Sequence, residues 1–231
     1  MNGTHRIRKI VYFAPHFTIC MEAQPGMSMS LDNLLKNLAV RPKETFSYLL
    51  KNSTSRYVNL LFILGGVVRS IDSISNPEAL ENQRLISVLF GAIVTGVIFG
   101  WISFFFFAAL IRWTGEWLHG KATFRKLRTV IAWSLLPSVC TLIIVLPQIT
   151  FFGRAYLLSE WSSFDFWELI LILVLFIIKL ALGFWSIALM VIGVAKVQGF
   201  SIWKAVLNLL LPVTVLALPF FLINIVNTLF G

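Results

Sequence analysis

Five long apolar segments constrain this chain more than any other feature of its sequence. Each approaches or exceeds the roughly 20 residues that an α-helix needs to cross a bilayer. Only 13% of the residues are charged, whereas a soluble domain carries about 25%. The sequence therefore predicts an all-α, polytopic integral membrane protein with five transmembrane helices, here called spans 1 to 5, at residues 57–74, 85–111, 129–152, 166–195 and 202–230.

The distribution of Lys and Arg predicts the orientation of these spans. Segments on alternate sides of the five spans hold 15 and 3 of the 19 Lys and Arg residues, and the remaining one is Lys179 within span 4. Because cytoplasmic loops carry the excess of Lys and Arg, we expect the N-terminus in the cytoplasm and the C-terminus outside. The net charge of +9 is then explained by topology, and nucleic-acid binding is not expected.

Two stretches precede the spans. Residues 1–29 open with a basic cluster and an apolar run similar to a signal peptide, but Pro15 and His16 interrupt the run, and a later translation start at Met27 or Met29 is an alternative. We treat these residues as a tail. In residues 30–56, leucines recur at helical spacing, and Pro42 suits the first turn of a second helix.

The second stretch predicts a basic amphipathic hairpin of two cytoplasmic helices at the inner leaflet. It either flanks the spans or docks on a partner protein. Small residues at four-residue spacing in span 2 allow another helix to approach closely, inside this chain or from another subunit. The candidate partner interface comprises Leu34, Leu38, Pro42, Phe46, Leu50, Ala92, Gly96 and Gly100.

Lys179 is the ionisable residue most deeply placed in a predicted span. A charge inside the membrane is a functional hypothesis by default. Three interpretations stay open: Lys179 extends its ammonium outward to the interface, it pairs with a polar group such as Asn224 of span 5, or it handles a substrate or proton. Spans 3 and 5 each carry two prolines, which either line a cavity or shape the packing.

Motifs for soluble enzyme chemistry are absent from the sequence. No His-Glu-x-x-His, Walker loop, Gly-x-Ser-x-Gly or Cys-x-x-Cys occurs, and the three histidines lie outside the spans without metal-ligand spacing. Cys20 and Cys140 imply no disulfide framework. We therefore predict a protein that is not an enzyme, with no catalytic residue, metal or cofactor.

Several short segments resemble the Yip family of Ypt-interacting-protein-like membrane proteins, in its bacterial form. The resemblance covers about residues 40–226, which excludes the tail, and Lys179 is not part of the pattern. Its segments are Arg41-Pro42-Lys43-Glu44-Thr45, Tyr57-Val58-Asn59-Leu60-Leu61, Gly120-Lys121-Ala122-Thr123-Phe124, Trp185-Ser186-Ile187 and Val197-Gln198-Gly199-Phe200-Ser201. Glycines of the pattern that we expect at turns are Gly65, Gly66, Gly115, Gly120 and Gly199.

The resemblance implies a five-helix membrane domain, here residues 57–231, with a cytosolic N-terminus and an adaptor role. Some bacterial members look like accessory subunits of ABC exporters that expel toxic peptides. The expected partners are the lipid bilayer and an exporter's permease, ATPase and adaptor subunits, with self-association also open, in a bacterial plasma membrane. The rival hypotheses are an autonomous transporter or channel built around Lys179 and the kinked spans, and an intramembrane enzyme.

Overall fold

The computed structural model describes residues 31–52, 55–74, 84–158 and 161–230, so the predicted tail lies outside the described residues. Throughout these ranges the regular structure is helical. In chain order the elements are α1 (Leu31–Val40), α2 (Pro42–Asn52), α3 (Ser55–Asp72), α4 (Leu85–Thr95), a π-helical turn (Gly96–Gly100), α5 (Trp101–Trp117), α6 (Phe124–Ser134), α7 (Leu136–Cys140), α8 (Leu142–Leu158), a 3₁₀ turn (Trp161–Ser163), α9 (Phe166–Gln198) and α10 (Ile202–Phe230).

Three helical rods are long and apolar enough to cross a membrane: Leu85–Trp117, Phe124–Gly153 and Phe166–Gln198. They correspond to predicted spans 2, 3 and 4. Helix α3 covers most of predicted span 1, but it has 18 residues and carries Arg56, Arg69 and Asp72. Helix α10 begins where span 5 was predicted. The three rods thus agree with the predicted membrane character in length and composition, and the count of five spans stays a prediction.

The Phe124–Gly153 rod forms the centre of the helix body. In its most apolar stretch 56% of the residues are buried inside the protein, against 11% in each of the other two rods. Its first helix, α6, packs on α2, α3, α5 and α9. The two outer rods therefore present most of their apolar side chains away from the protein, as lipid-facing helices do.

Breaks in the central rod follow from its prolines. Pro137 is buried at the start of α7, and Pro147 lies inside α8. A proline cannot donate a helix hydrogen bond and its ring displaces the preceding turn. Farther along α8, Gly153 adopts a positive φ of 58° and bends the helix again.

Local signals also set the ends of α9. Its first turn has a capping box in which the backbone N–H of Asp165 donates to Glu168 Oε2 at 3.0 Å. At the other end Gly199 takes the left-handed conformation, with φ of 74°, and the backbone N–H of Phe200 donates to Ala195 O at 2.8 Å. This turn directs the chain back into α10.

The two ends of the body differ in charge. We call the end formed by α1, α2, the α5–α6 loop and the α9–α10 turn the basic end, because Lys43, Lys51, Lys121 and Lys126 lie there. The end formed by the last turn of α3, the start of α4 and the start of α9 is called the opposite end. The larger hydrophobic cluster lies toward the basic end and the smaller one toward the opposite end.

Candidate functional site

The amphipathic hairpin is part of the helix body at the basic end. Leu34, Leu38 and Phe46 are buried, whereas Pro42 and Leu50 are half-buried. Helix α2 packs against α6 and α9. The Lys196 ammonium of α9 donates to Lys43 O and Ser47 Oγ of α2. The apolar face predicted for a partner is therefore covered by this chain itself.

The small residues of span 2 also face inward. A Cβ built on Gly66 of α3 would lie 2.6 Å from Gly100 Cα, and one built on Gly96 would lie 2.7 Å from Val67 Cα. Only glycine allows such backbone contact between helices. We call this contact of Gly66 with Gly96 and Gly100 the glycine crossing. Ala92 is buried as well, so placing Ala92, Gly96 and Gly100 on a partner interface is corrected: they pack inside the chain.

The expectation that five family-pattern glycines lie at turns is wrong for three of them. Gly65 and Gly66 lie within α3, and Gly115 lies within α5. Each is buried, and each provides space for a neighbour instead of a change in chain direction. Gly120 lies in the loop between α5 and α6, and Gly199 ends α9 in a left-handed turn.

Two segments of the family pattern meet at the basic end. The backbone N–H of Ala122 donates to Gln198 Oε1 at 3.1 Å, and the N–H of Lys121 donates to Gln198 O at 3.3 Å. Gly120 and Gly115 make room for this glutamine, since a Cβ on either would lie within about 3.0 Å of Gln198 Cδ. The α5–α6 loop is thus anchored on the last residue of α9.

Asn208 of α10 extends this contact into a buried polar cluster. Thr114 Oγ1 of α5 donates to Asn208 Oδ1 at 2.9 Å. We call Thr114, Gln198 and Asn208 the amide cluster; they are 0%, 2% and 0% exposed. In the described part of the chain, Gln198 Nε2 and Asn208 Nδ2 are buried without a hydrogen-bond partner. Amides do not titrate near neutral pH, so the cluster joins α5, α9 and α10 rather than transferring protons.

Lys179 forms an ion pair with Asp72. Its ammonium donates to Asp72 Oδ1 at 3.1 Å, and the two side chains are 18% and 45% exposed. Asp72 is the last residue of α3, where the helix dipole also favours a cation. Pairing with a polar group is therefore the interpretation that the geometry matches. The partner is Asp72 instead of the suggested Asn224, whose side chain lies outside the described part of the chain.

Arg128 is a cation whose structural contacts the sequence did not suggest. Its guanidinium donates from Nη2 to Asn59 Oδ1 at 2.8 Å and lies over the Phe105 ring, 4.4 Å from the centroid. It joins α6 to α3 and α5. Its Nε is buried without a partner among the described residues. The sequence showed Arg128 only as one of many topogenic charges.

Comparison with models of protein families shows the family to which this chain belongs. A family model described as the Yip1 domain matches residues 36–223. The chain belongs to the Yip1-domain family. No curated protein and no solved structure matches it. Members of this family are in general non-enzymatic membrane proteins, and the apolar helical rods agree with a membrane location. The Yip1 match includes the glycine crossing, the amide cluster and the Asp72–Lys179 pair.

Proposed function

We propose that this Yip1-domain protein is a non-enzymatic accessory subunit of an ABC-type exporter in a bacterial plasma membrane, and that the exporter's cargo is toxic peptides. The observation that carries the proposal is the division of its surfaces. The glycine crossing and the amide cluster bind the chain's helices to one another, while the two outer rods are only 11% buried in their most apolar stretches. Such exposed apolar rods are suited to lateral contact with a helix of the permease.

Two open glycines provide a test of where a permease would dock. Gly91 of α4 and Gly183 of α9 lie on different outer rods, and a Cβ built on either meets no atom within 4 Å. Gly91→Leu and Gly183→Leu should therefore fold normally in this chain. If the permease contacts one of these rods, a leucine on that rod should nevertheless separate the two proteins, because it prevents close approach of the helices.

The experiment is affinity purification of the tagged protein from its native membrane in mild detergent, with quantitative mass spectrometry of the co-purified proteins. We expect an ATPase, a permease and an adaptor protein in stoichiometric amounts. One of the two glycine variants should lose them while keeping its own yield and elution volume. Recovery of the tagged chain alone from the wild-type membrane would contradict the accessory function.

The proposed arrangement has five spans with the N-terminus inside. The charge count supports this orientation, and the helical segments α3, α4–α5, α6–α8, α9 and α10 equal the proposed crossings in number. Reporter fusions test it. A cytoplasmic reporter should be active after Gly120 and a periplasmic reporter after Gly231. The reverse pattern would overturn the orientation.

A second candidate function rests on the Asp72–Lys179 pair. A paired charge between helices within the membrane region is typical of ion or proton pathways. An autonomous transporter should move protons when the purified protein alone is reconstituted in liposomes that contain a pH-sensitive dye. Flux that is lost in Lys179→Met would favour this function over the accessory one, whereas an equal leak in both proteins would argue against it.

A further inference from the structure

A groove opens at the basic end between the last turns of α5 and the first residue of α6. It is lined by Ala109, Arg112, Trp113, Glu116 and Phe124, with a volume of about 290 Å³. This volume lies at the lower limit of about 300 Å³ for small-ligand pockets, so the groove suits a small polar group whose apolar chains remain outside it. None of the contacts described for the amide cluster or the Asp72–Lys179 pair involves its lining residues.

Two opposite charges lie one helical turn apart in this groove. Arg112 Nε donates to Glu116 Oε1 at 3.1 Å, and the two side chains are 49% and 54% exposed. Exposed pairs at this spacing contribute only about 0.3–0.5 kcal/mol. They therefore separate readily when a ligand offers each charge a partner. The complementary ligand carries an anion and a cation joined by a short linker.

Aromatic residues indicate the level of the membrane at which the groove lies. Trp113 and Trp117 are about half exposed and meet edge to face, with their ring centroids 4.6 Å apart. Tryptophan is enriched at the level of lipid headgroups, and the exposed apolar rod Leu85–Trp117 continues from this level into the membrane. A ligand in the groove would therefore hold its polar part among the headgroups and its apolar part along the rod.

We propose that the groove binds the headgroup of phosphatidylethanolamine. Arg112 receives the phosphate, Glu116 accepts hydrogen bonds from the primary ammonium, and the ring of Trp113 offers that ammonium a π face. Arg128, 5.8 Å from the ring centroid of the lining residue Phe124, adds positive potential beside the groove. No carboxylate pairs with Arg128 in the described ranges of the chain.

Headgroup chemistry distinguishes this lipid from its neighbours in a membrane. Phosphatidylcholine carries the same phosphate, but its trimethylated nitrogen has no hydrogen to donate to Glu116. Phosphatidylglycerol has no cation at all, so Glu116 would face an uncharged glycerol instead of an ammonium, in a headgroup that is negatively charged. Hydrogen bonds to charged groups contribute about 1.5–3 kcal/mol, which corresponds to roughly tenfold or more in affinity.

The test measures lipid retention by native mass spectrometry on delipidated protein in detergent. Each of the three lipids, with identical acyl chains, is titrated separately. We expect the wild-type protein to retain one phosphatidylethanolamine with roughly tenfold preference over phosphatidylcholine. Glu116→Gln should bring the two lipids to equal retention, whereas Arg112→Gln should lower the retention of both. The inference does not depend on the exporter hypothesis, because no partner protein is present.

The control removes a similar ion pair away from the groove. Arg41 and Glu44 of α2 are also exposed and lie 3.7 Å apart, so Glu44→Gln should leave the lipid preference unchanged. Thermal melting of all variants should match the wild type, since both pairs are exposed. Equal retention of phosphatidylethanolamine and phosphatidylcholine by the wild-type protein would overturn the proposal. A persistent preference in Glu116→Gln, or stronger binding of phosphatidylglycerol, would overturn it too.

Discussion

The basic end and the opposite end of this helix body are held together by different kinds of contact. At the basic end α2, α6 and α9 bury Phe46, Ile131 and Val194 completely, and the amide cluster joins α9 to α5 and α10. At the opposite end a smaller hydrophobic cluster around Ile71 and Val145 is accompanied by one ion pair that is partly exposed. Packing therefore dominates at one end and electrostatics contributes more at the other.

This difference indicates which part of the protein is free to move. Fully buried contacts between several helices fix their relative positions, because interiors are close-packed and resist displacement. A partly exposed ion pair breaks with a small loss of free energy. We expect the basic end to behave as a rigid base and the opposite end to be the place where helices α3 and α9 shift relative to each other.

The largest effect should come from the glycine crossing, where the helices of both ends meet. Gly100→Leu places a side chain against the backbone of Gly66, which cannot move aside as a flexible side chain would. We expect a loss of stability above the roughly 1–3 kcal/mol typical of overpacked cores. Size-exclusion chromatography in detergent should show aggregated instead of monodisperse protein.

The matched control lies on the same rod. Gly91 is exposed, and a Cβ there meets no atom within 4 Å. Gly91→Leu should therefore change the stability by less than about 0.5 kcal/mol. If both variants elute like the wild type, the close contact between α3 and the π-helical turn does not hold the body together.

An effect of similar size is expected from the hairpin at the basic end. Phe46 is 0% exposed, and replacing such a residue by alanine typically costs about 3–5 kcal/mol. Phe46→Ala should release α1 and α2 from α6 and α9, so limited proteolysis should cut within Leu31–Asn52 before the rest of the chain. Val40→Ala is the control, because Val40 is 77% exposed. Equal protection of Phe46→Ala and the wild type would mean that the hairpin does not depend on this contact.

Much of this fold could be predicted from the sequence, because the hydropathy of a segment indicates whether it lies inside or outside the membrane and therefore where its helix starts. The starts of α4, α9 and α10 agree with the predicted starts of spans 2, 4 and 5. Hydropathy does not report which side of a helix meets which neighbour. The inward direction of Gly96 and Gly100 therefore had two open interpretations, and only the tertiary packing distinguishes them.

The polar contacts were harder to predict for a related reason. Lys179 was recognisable as a functional candidate, but its partner Asp72 lies 107 residues away in the sequence. Asn208 and Thr114 are 94 residues apart and neither was singled out. An asparagine flanked by apolar residues in α10 was the available signal for Asn208, since polar groups in a membrane require a hydrogen-bond partner.

Two buried glutamines extend the comparison between the ends. Gln198 lies at the basic end, and Gln148 of α8 lies beside the smaller hydrophobic cluster of the opposite end. Both are 2% exposed, and both have an Nε2 without a partner in the described residues. Gln198 accepts from the backbone N–H of Ala122, whereas Gln148 accepts from the Tyr156 hydroxyl at 3.0 Å. A backbone N–H cannot rotate to another acceptor, but a tyrosine hydroxyl can.

Replacing each glutamine by leucine should therefore have unequal effects. Gln198→Leu leaves the Ala122 amide without an acceptor, at a cost of about 1–3 kcal/mol. In Gln148→Leu the Tyr156 hydroxyl finds another acceptor, and the loss should stay below about 1 kcal/mol. Thermal melting in one detergent compares the two variants directly. Equal losses would show that the two ends are not stabilised differently.

The smallest effect is expected from the ion pair at the opposite end. Partly exposed pairs typically contribute about 0.2–1 kcal/mol, so a double-mutant cycle with Asp72→Asn and Lys179→Met should give a coupling free energy in that range. The cycle is the appropriate measurement because each single substitution also leaves an unpaired charge near the lipid, which adds its own cost. A coupling above about 2 kcal/mol would place the pair in a much less polar environment than its 18% and 45% exposure indicates. The opposite end would then be as firmly fixed as the basic end, and a shift of α3 relative to α9 would require that pair to be neutralised first.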